Sequence, residues 1–212
     1  ADAPLSAGLP IEQLVRFARD PQLYFMQQVM GIRFDELTHQ QSASEPFALD
    51  ALENYQLNQR LLAAKLEGDA ALNAFVERLQ HSGEWLSGTF GEVKLHQQLS
   101  GLAPMAELIE QALSQIGAAQ SADGLELDLP AGRLNGWLAH HRNGQLHYRY
   151  SKLKPKDYVQ AWLWHLTAEH PSWLIGLDQD NRPQAYLFAP LAKAERLAHL
   201  NNWLQTYQHS LT

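Results

Sequence analysis

The chain has 212 residues, no cysteine and a formal charge of −7. That length suits one large domain or two small ones, with enough chain to bury a core without covalent staples. The missing cysteine excludes a disulfide scaffold, a zinc knuckle, an iron–sulfur cluster and a cysteine nucleophile, and no stretch of about 18 apolar residues or basic leader marks a membrane span or signal peptide.

Ile11, Leu14, Val15 and Ala18 recur at helical spacing and predict a helix over 10–20. Asp20-Pro21 restarts a second helix over 21–30, with Asp as cap, Pro at the first position and Gly31 as the stop. Residues 37–45 are polar and read as a loop, the one credible internal boundary. Helices follow over 50–68 and 69–79, then a loop over 83–88 and two further helices over 90–99 and 104–116. The period then changes. Leu125, Leu127 and Leu129 alternate with Glu126 and Asp128, a strand signal. A second strand is predicted over 133–141 and a third over 145–150, joined by Asn143-Gly144, a strong hairpin-turn signal. A helix over 156–170, short strands over 173–177 and 184–188, and a helix over 190–208 complete the chain.

Strands interrupted by a crossover helix predict an α/β (α+β) layer fold, a mixed β-sheet flanked by helices. The expected organisation is a single domain over 1–212, mostly helical over 1–120 and sheet-bearing over 121–212. The chain opens on Ala1 without methionine and ends just after an apparent helix, which suggests a fragment of a larger protein. Tyr24, Phe25 and most of the tryptophans read as core, with one of Trp162 and Trp164 a candidate interface anchor.

Helix, three-strand meander, crossover helix and strand is one arrangement used by nucleases. A metal-dependent nuclease needs carboxylates at the ends of neighbouring strands to hold Mg²⁺. Residues 133–150 contain no acid at all. Glu92 and Glu126 read as surface residues rather than a surviving carboxylate pair. His140 and His141 point to opposite faces of a strand, and His165 with Glu169 stands alone at i, i+4, so no metal site is expected.

Several segments carry a resemblance. Gly136-Trp137-Leu138-Ala139 resembles the stretch in which RecB-type nucleases of the PD-(D/E)XK superfamily have glycine, an aromatic or aliphatic pair and a metal-binding aspartate; Ala139 stands at the aspartate. Arg149-Tyr150-Ser151 stands where those nucleases have an acid, any residue and a lysine. Gln160 fits the glutamine of their following helix. Gly88-Thr89-Phe90-Gly91-Glu92 matches a stretch that ends there in a metal-contacting histidine. With Asp20-Pro21-Gln22-Leu23-Tyr24-Phe25, Glu45-Pro46-Phe47-Ala48-Leu49-Asp50 and Lys152-Leu153-Lys154-Pro155-Lys156-Asp157, the ordered set resembles the RecC C-terminal domain family.

The resemblance implies a restriction-endonuclease-like, catalytically degenerate domain of the exodeoxyribonuclease V gamma subunit, with Glu92, Ala139, Arg149 and Ser151 at the lost catalytic positions. It implies RecB and RecD as partners, a place near double-strand DNA ends and unwound single strands, and a bacterial cytoplasmic setting. Activity would belong to the complex, which unwinds and degrades duplex ends with ATP in recombinational repair. No cofactor is expected. Two alternatives are an active Mg-dependent nuclease with relocated ligands and a pure protein-interaction module.

The charge is divided unevenly. Residues 1–128 carry a net −11 and residues 129–212 a net +4. Arg142, Arg149, Lys152, Lys154 and Lys156 lie in a run without an acid, and these are the residues expected to face DNA phosphates or a partner. Tyr148 and Tyr150 lie beside them and can stack on unpaired bases.

Overall fold

The computed structural model describes residues 8–32, 51–81 and 89–211. The loops expected over 37–45 and 83–88, and the matching segment at 45–50, lie outside them. The described chain runs β1 (Leu9–Pro10), α1 (Ile11–Arg19), α2 (Pro21–Gln28), α3 (Ala51–Glu67), α4 (Asp69–His81), α5 (Thr89–Ile116), β2 (Asp123–Leu129), β3 (Gly132–Leu138), β4 (Gln145–Lys152), α6 (Pro155–Thr167), β5 (Ser172–Leu177), β6 (Pro183–Phe188) and α7 (Lys193–His209). This is the expected α+β architecture with a helical N-terminal part.

The strands divide between two three-stranded mixed sheets, β1-β3-β2 and β4-β5-β6, rather than forming one. The cause lies at the Asn143-Gly144 turn. The Arg142 and Asn143 N–H groups donate to the Ala118 and Ile116 carbonyls, which pins the turn to the end of α5. Only the single bridge His141↔Gly144 remains between the strands on either side. At Leu134 and Asn135, β3 already has a partner on each edge: β1, parallel, and β2, antiparallel.

Two cores follow. In the first, α1 buries Ile11, Leu14, Val15, Phe17 and Ala18 against Leu134 of β3, Leu163 and Leu166 of α6, and Leu200, Leu204 and Tyr207 of α7. Full burial of each such side chain contributes about 1.5–3 kcal/mol. Phe17, Tyr24 and Tyr207 meet edge to face, and Gln13 Nε2 donates to the Tyr24 and Tyr207 hydroxyls at 2.7 and 3.0 Å, so the polar tips are satisfied where the rings are buried. In the second core, Leu61, Leu62, Leu102, Met105 and Ile109 of the helical part pack on Tyr150 and Ile175. Helix α6 also packs on the second sheet through Ala161 and Leu174, so it stands between the two cores.

The helices expected on either side of Pro104 are one continuous element, α5. An internal proline removes one backbone bond and costs about 3 kcal/mol. The flanking Leu102, Met105 and Ile109 are almost fully buried, and burial of that face outweighs the local defect. Trp162 and Trp164 both pack on the first core, partly buried. Tyr24 is core, but Phe25 is 40% exposed, against the expectation that it is interior, because α2 buries Tyr24 alone; Trp137 on β3 is 68% exposed, apart from the tryptophans that pack inside.

Gly136 has φ +153°, and a Cβ there would fall 2.6 Å from Ile11 Cγ2. Both the backbone and the close approach of α1 to β3 require glycine. Gly136→Ala is expected to lower stability by about 1–3 kcal/mol, read as a lower urea midpoint at unchanged slope.

Candidate functional site

The acid-free run begins on the turn before β4 and ends on α6, and its cations have different fates. Arg149 is held on three sides. Its Nη1 donates to Asp157 Oδ1 at 2.6 Å, its Nε to Ser151 Oγ at 2.6 Å, and its Cζ lies 5.2 Å from the centre of the Tyr55 ring. The Asp157 side chain is 7% exposed and that of Arg149 24%, so this is a buried pair rather than a surface one. Asp157 is placed by local sequence: Pro155 starts α6, and Asp157 Oδ2 accepts from the Lys154 N–H at 2.8 Å, satisfying a donor that the helix start leaves open. Lys152 Nζ donates to the Gln179 carbonyl at 2.6 Å. Arg142, Lys154 and Lys156 are exposed.

Arg149 lines a cleft of about 260 Å³ where the two cores meet, together with Arg19 from the end of α1, Tyr55 from α3, His147 and Tyr148 from β4, and Gln160 from α6. A second cleft of about 280 Å³ shares Arg19 and adds Arg16, Glu12, Asp20 and Lys156. Arg16 and Arg19 are exposed. The Asp20 carboxylate is engaged as the cap of α2, accepting from the Leu23 N–H at 3.0 Å. His147 in the cleft wall has Nε2 closed off from solvent and without a partner. Burial, with repulsion from His165 as the smaller cause, pushes its pKa down to about 4, so the ring is neutral at pH 7.

Of the four positions marked as lost catalytic sites, Arg149 and Ser151 are bonded to each other. Ala139 is exposed just past β3, a strand of the other sheet. Glu92 is exposed in the first turn of α5, and Glu126 is exposed on β2, a strand of the first core. His165 and Glu169 are engaged by different partners. His165 lies 2.9 Å from Ser172 Oγ and 3.0 Å from the Ala189 carbonyl, while Glu169 pairs with Arg196 at 3.0 Å. Among the described residues no group of three or more His, Asp or Glu is placed to hold a metal ion, and no helix is long and apolar enough to cross a membrane.

The family model for the RecC C-terminal domain matches residues 7–212. The chain belongs to that family. The RecBCD enzyme subunit RecC of Escherichia coli (strain K12) is 28% identical over 215 residues, which cover 98% of this chain and 18% of that subunit. The chain therefore spans less than a fifth of the length of its RecC relative. The crystal structure of SSO0001 overlays on 97% of the chain and 79% of its own, with a TM-score of 0.34 and 12% identity, too loose a match to bear on fold or site.

In this RecC-family domain, Arg19 and Tyr55 join the basic run in one cleft and Arg16 stands in the adjoining one, neighbours that the sequence does not mark as such. The two arginines sit at i, i+3 on one face of α1, a visible signal, but nothing local links them to strands more than a hundred residues away. Asp157 does have a local signal: it is the first acid after the basic run and the third residue of a proline-started helix.

Proposed function

We propose that this domain is nuclease-derived and non-catalytic, and that it guides DNA in an exodeoxyribonuclease V complex with RecB and RecD. The complex would unwind and degrade double-strand ends with ATP during recombinational repair in the bacterial cytoplasm. The observation that supports this most is the Arg149 site. At the position where the resemblance expects a metal-binding acid stands a guanidinium fixed to Asp157 and Ser151. A resident cation beside those oxygens opposes a second, divalent one. Arg142, Lys152, Lys154 and Lys156, with Arg149, are the DNA- or partner-facing charges in this reading.

The test is incubation of the protein with linear duplex and single-stranded DNA in Mg²⁺, alongside binding measured against salt. The expected result is no cleavage, and binding that falls as salt rises, because phosphate contacts release counterions. Cleavage that disappears on Glu92→Ala or Glu126→Ala overturns the non-catalytic reading. A second reading, a protein-interaction module, has its own support: Phe25, Val29 and Met30 of the α2 region and Trp137 on β3 are 40%, 47%, 57% and 68% exposed, more apolar surface than an isolated face needs. Under it, Phe25→Ser with Met30→Ser reduces subunit association and leaves DNA binding unchanged.

A further inference from the structure

We infer that the cleft between α1, β4 and α6 is a phosphodiester site for one nucleotide of an unpaired strand, with Arg149 and Arg19 as its cations. This rests on the DNA-guiding reading and gives it a location. Arg149 spends Nη1 on Asp157 and Nε on Ser151, which leaves Nη2 for the cleft that the residue lines. Its plane is set by those bonds and by the Tyr55 ring, so the side-chain entropy of binding an anion is already lost in the free protein. A planar guanidinium presented this way suits phosphate oxygens better than an ammonium does.

Arg19 faces the same space from the end of α1 and, among the described residues, forms no ion pair. It is the charge that tips the balance, since Asp157 offsets Arg149. The Gln160 amide adds a neutral donor, and Tyr148, 41% exposed, offers a ring at the edge on which a base can stack. The cleft of about 260 Å³ lies just below the roughly 300–1,000 Å³ of ordinary ligand pockets, a space on the scale of one nucleotide unit; the selection for an unpaired strand rests on the Tyr148 ring, which needs a base free of pairing. The adjoining cleft shares Arg19 and contributes Arg16 and Lys156 against Glu12 and the capping Asp20, a place for the next phosphate.

The experiment is fluorescence anisotropy of a labelled dT12 strand against the intact protein over a range of salt, with inorganic phosphate as competitor and a duplex of equal length in parallel. Arg19→Ala is expected to weaken dT12 binding about tenfold and to lower the salt slope by about one. Gln160→Ala is expected to weaken it severalfold with the slope unchanged. Arg133→Ala, an exposed charge on the other sheet that is already paired with Asp128, serves as control and leaves both unchanged. If Arg19→Ala behaves like Arg133→Ala while Lys152→Glu with Lys154→Glu abolishes binding, the cleft assignment fails and the DNA reading stands. If dT12 does not bind at any salt, both fail. If the duplex binds more tightly than dT12 and depends on Arg19, the assignment to an unpaired strand is overturned.

Discussion

Asp157→Ala is expected to lower the stability of the domain by about 3–5 kcal/mol. The carboxylate is almost fully buried and does two things at once: it accepts from Arg149 Nη1 at 2.6 Å and from the Lys154 N–H at 2.8 Å. Removal leaves a half-buried guanidinium without its counter-charge and an open donor at the start of α6. The first loss dominates, because an uncompensated buried charge costs more than a lost helix cap, which is worth about 0.5–2 kcal/mol. Asp157→Asn keeps oxygen and shape but not charge, and falls between the alanine variant and the parent. Replacing both partners, Arg149→Met with Asp157→Leu, recovers most of the loss, since no charge is then left alone. Urea unfolding of the parent, the single variants and the double variant checks this. A loss below about 1 kcal/mol for Asp157→Ala would place the pair in the surface class and remove the basis for a fixed Arg149.

Local signals in the sequence lead to most of the elements and to few of their contacts. Asp20-Pro21 predicts the restart of α2, and the alternation of Leu125, Leu127 and Leu129 predicts β2, because caps and pleats act over a few residues. The continuity of α5 through Pro104 is not local: it depends on Leu102, Met105 and Ile109 finding partners on other elements. The partition into two sheets is hidden for the same reason. Asn143-Gly144 forms its turn, but the neighbouring backbone donors are captured by the end of α5, a competitor more than twenty residues upstream. At the site, the acid-free run marks the cations but not their fate. Arg149 and Lys152 are both basic residues of β4, yet one is fixed by a buried carboxylate and the other binds a loop carbonyl. The expected DNA-facing set therefore divides into the fixed Arg149, the tethered Lys152 and the exposed Arg142, Lys154 and Lys156. The Arg16 and Arg19 charges that join them come from the far end of the chain.

Acid is expected to destabilise the domain between about pH 6.5 and pH 4, with His147 contributing up to about 3 kcal/mol of the loss. Burial holds the His147 pKa down at about 4, from an ordinary 6.5. Between those values the unfolded chain binds a proton that the folded chain refuses. Stability therefore rises with pH through this window: the contribution is full above about pH 6.5 and is lost as pH falls toward 4. His165 and His141 are also shifted downward, each mainly by burial, and add in the same direction. His147→Leu separates the first from the others. Its Nε2 is buried without a partner, so an apolar side chain of similar size removes an unmet desolvation cost at pH 7.5 and also removes the titration. Urea midpoints at pH 7.5, 6.0, 5.0 and 4.5 are expected to fall steeply for the parent and less steeply for His147→Leu, with the two curves diverging as pH drops. Parallel curves would mean that His147 binds its proton equally in the folded and the unfolded protein, so that burial does not hold its pKa down and the cleft wall gains a cation near pH 6.5.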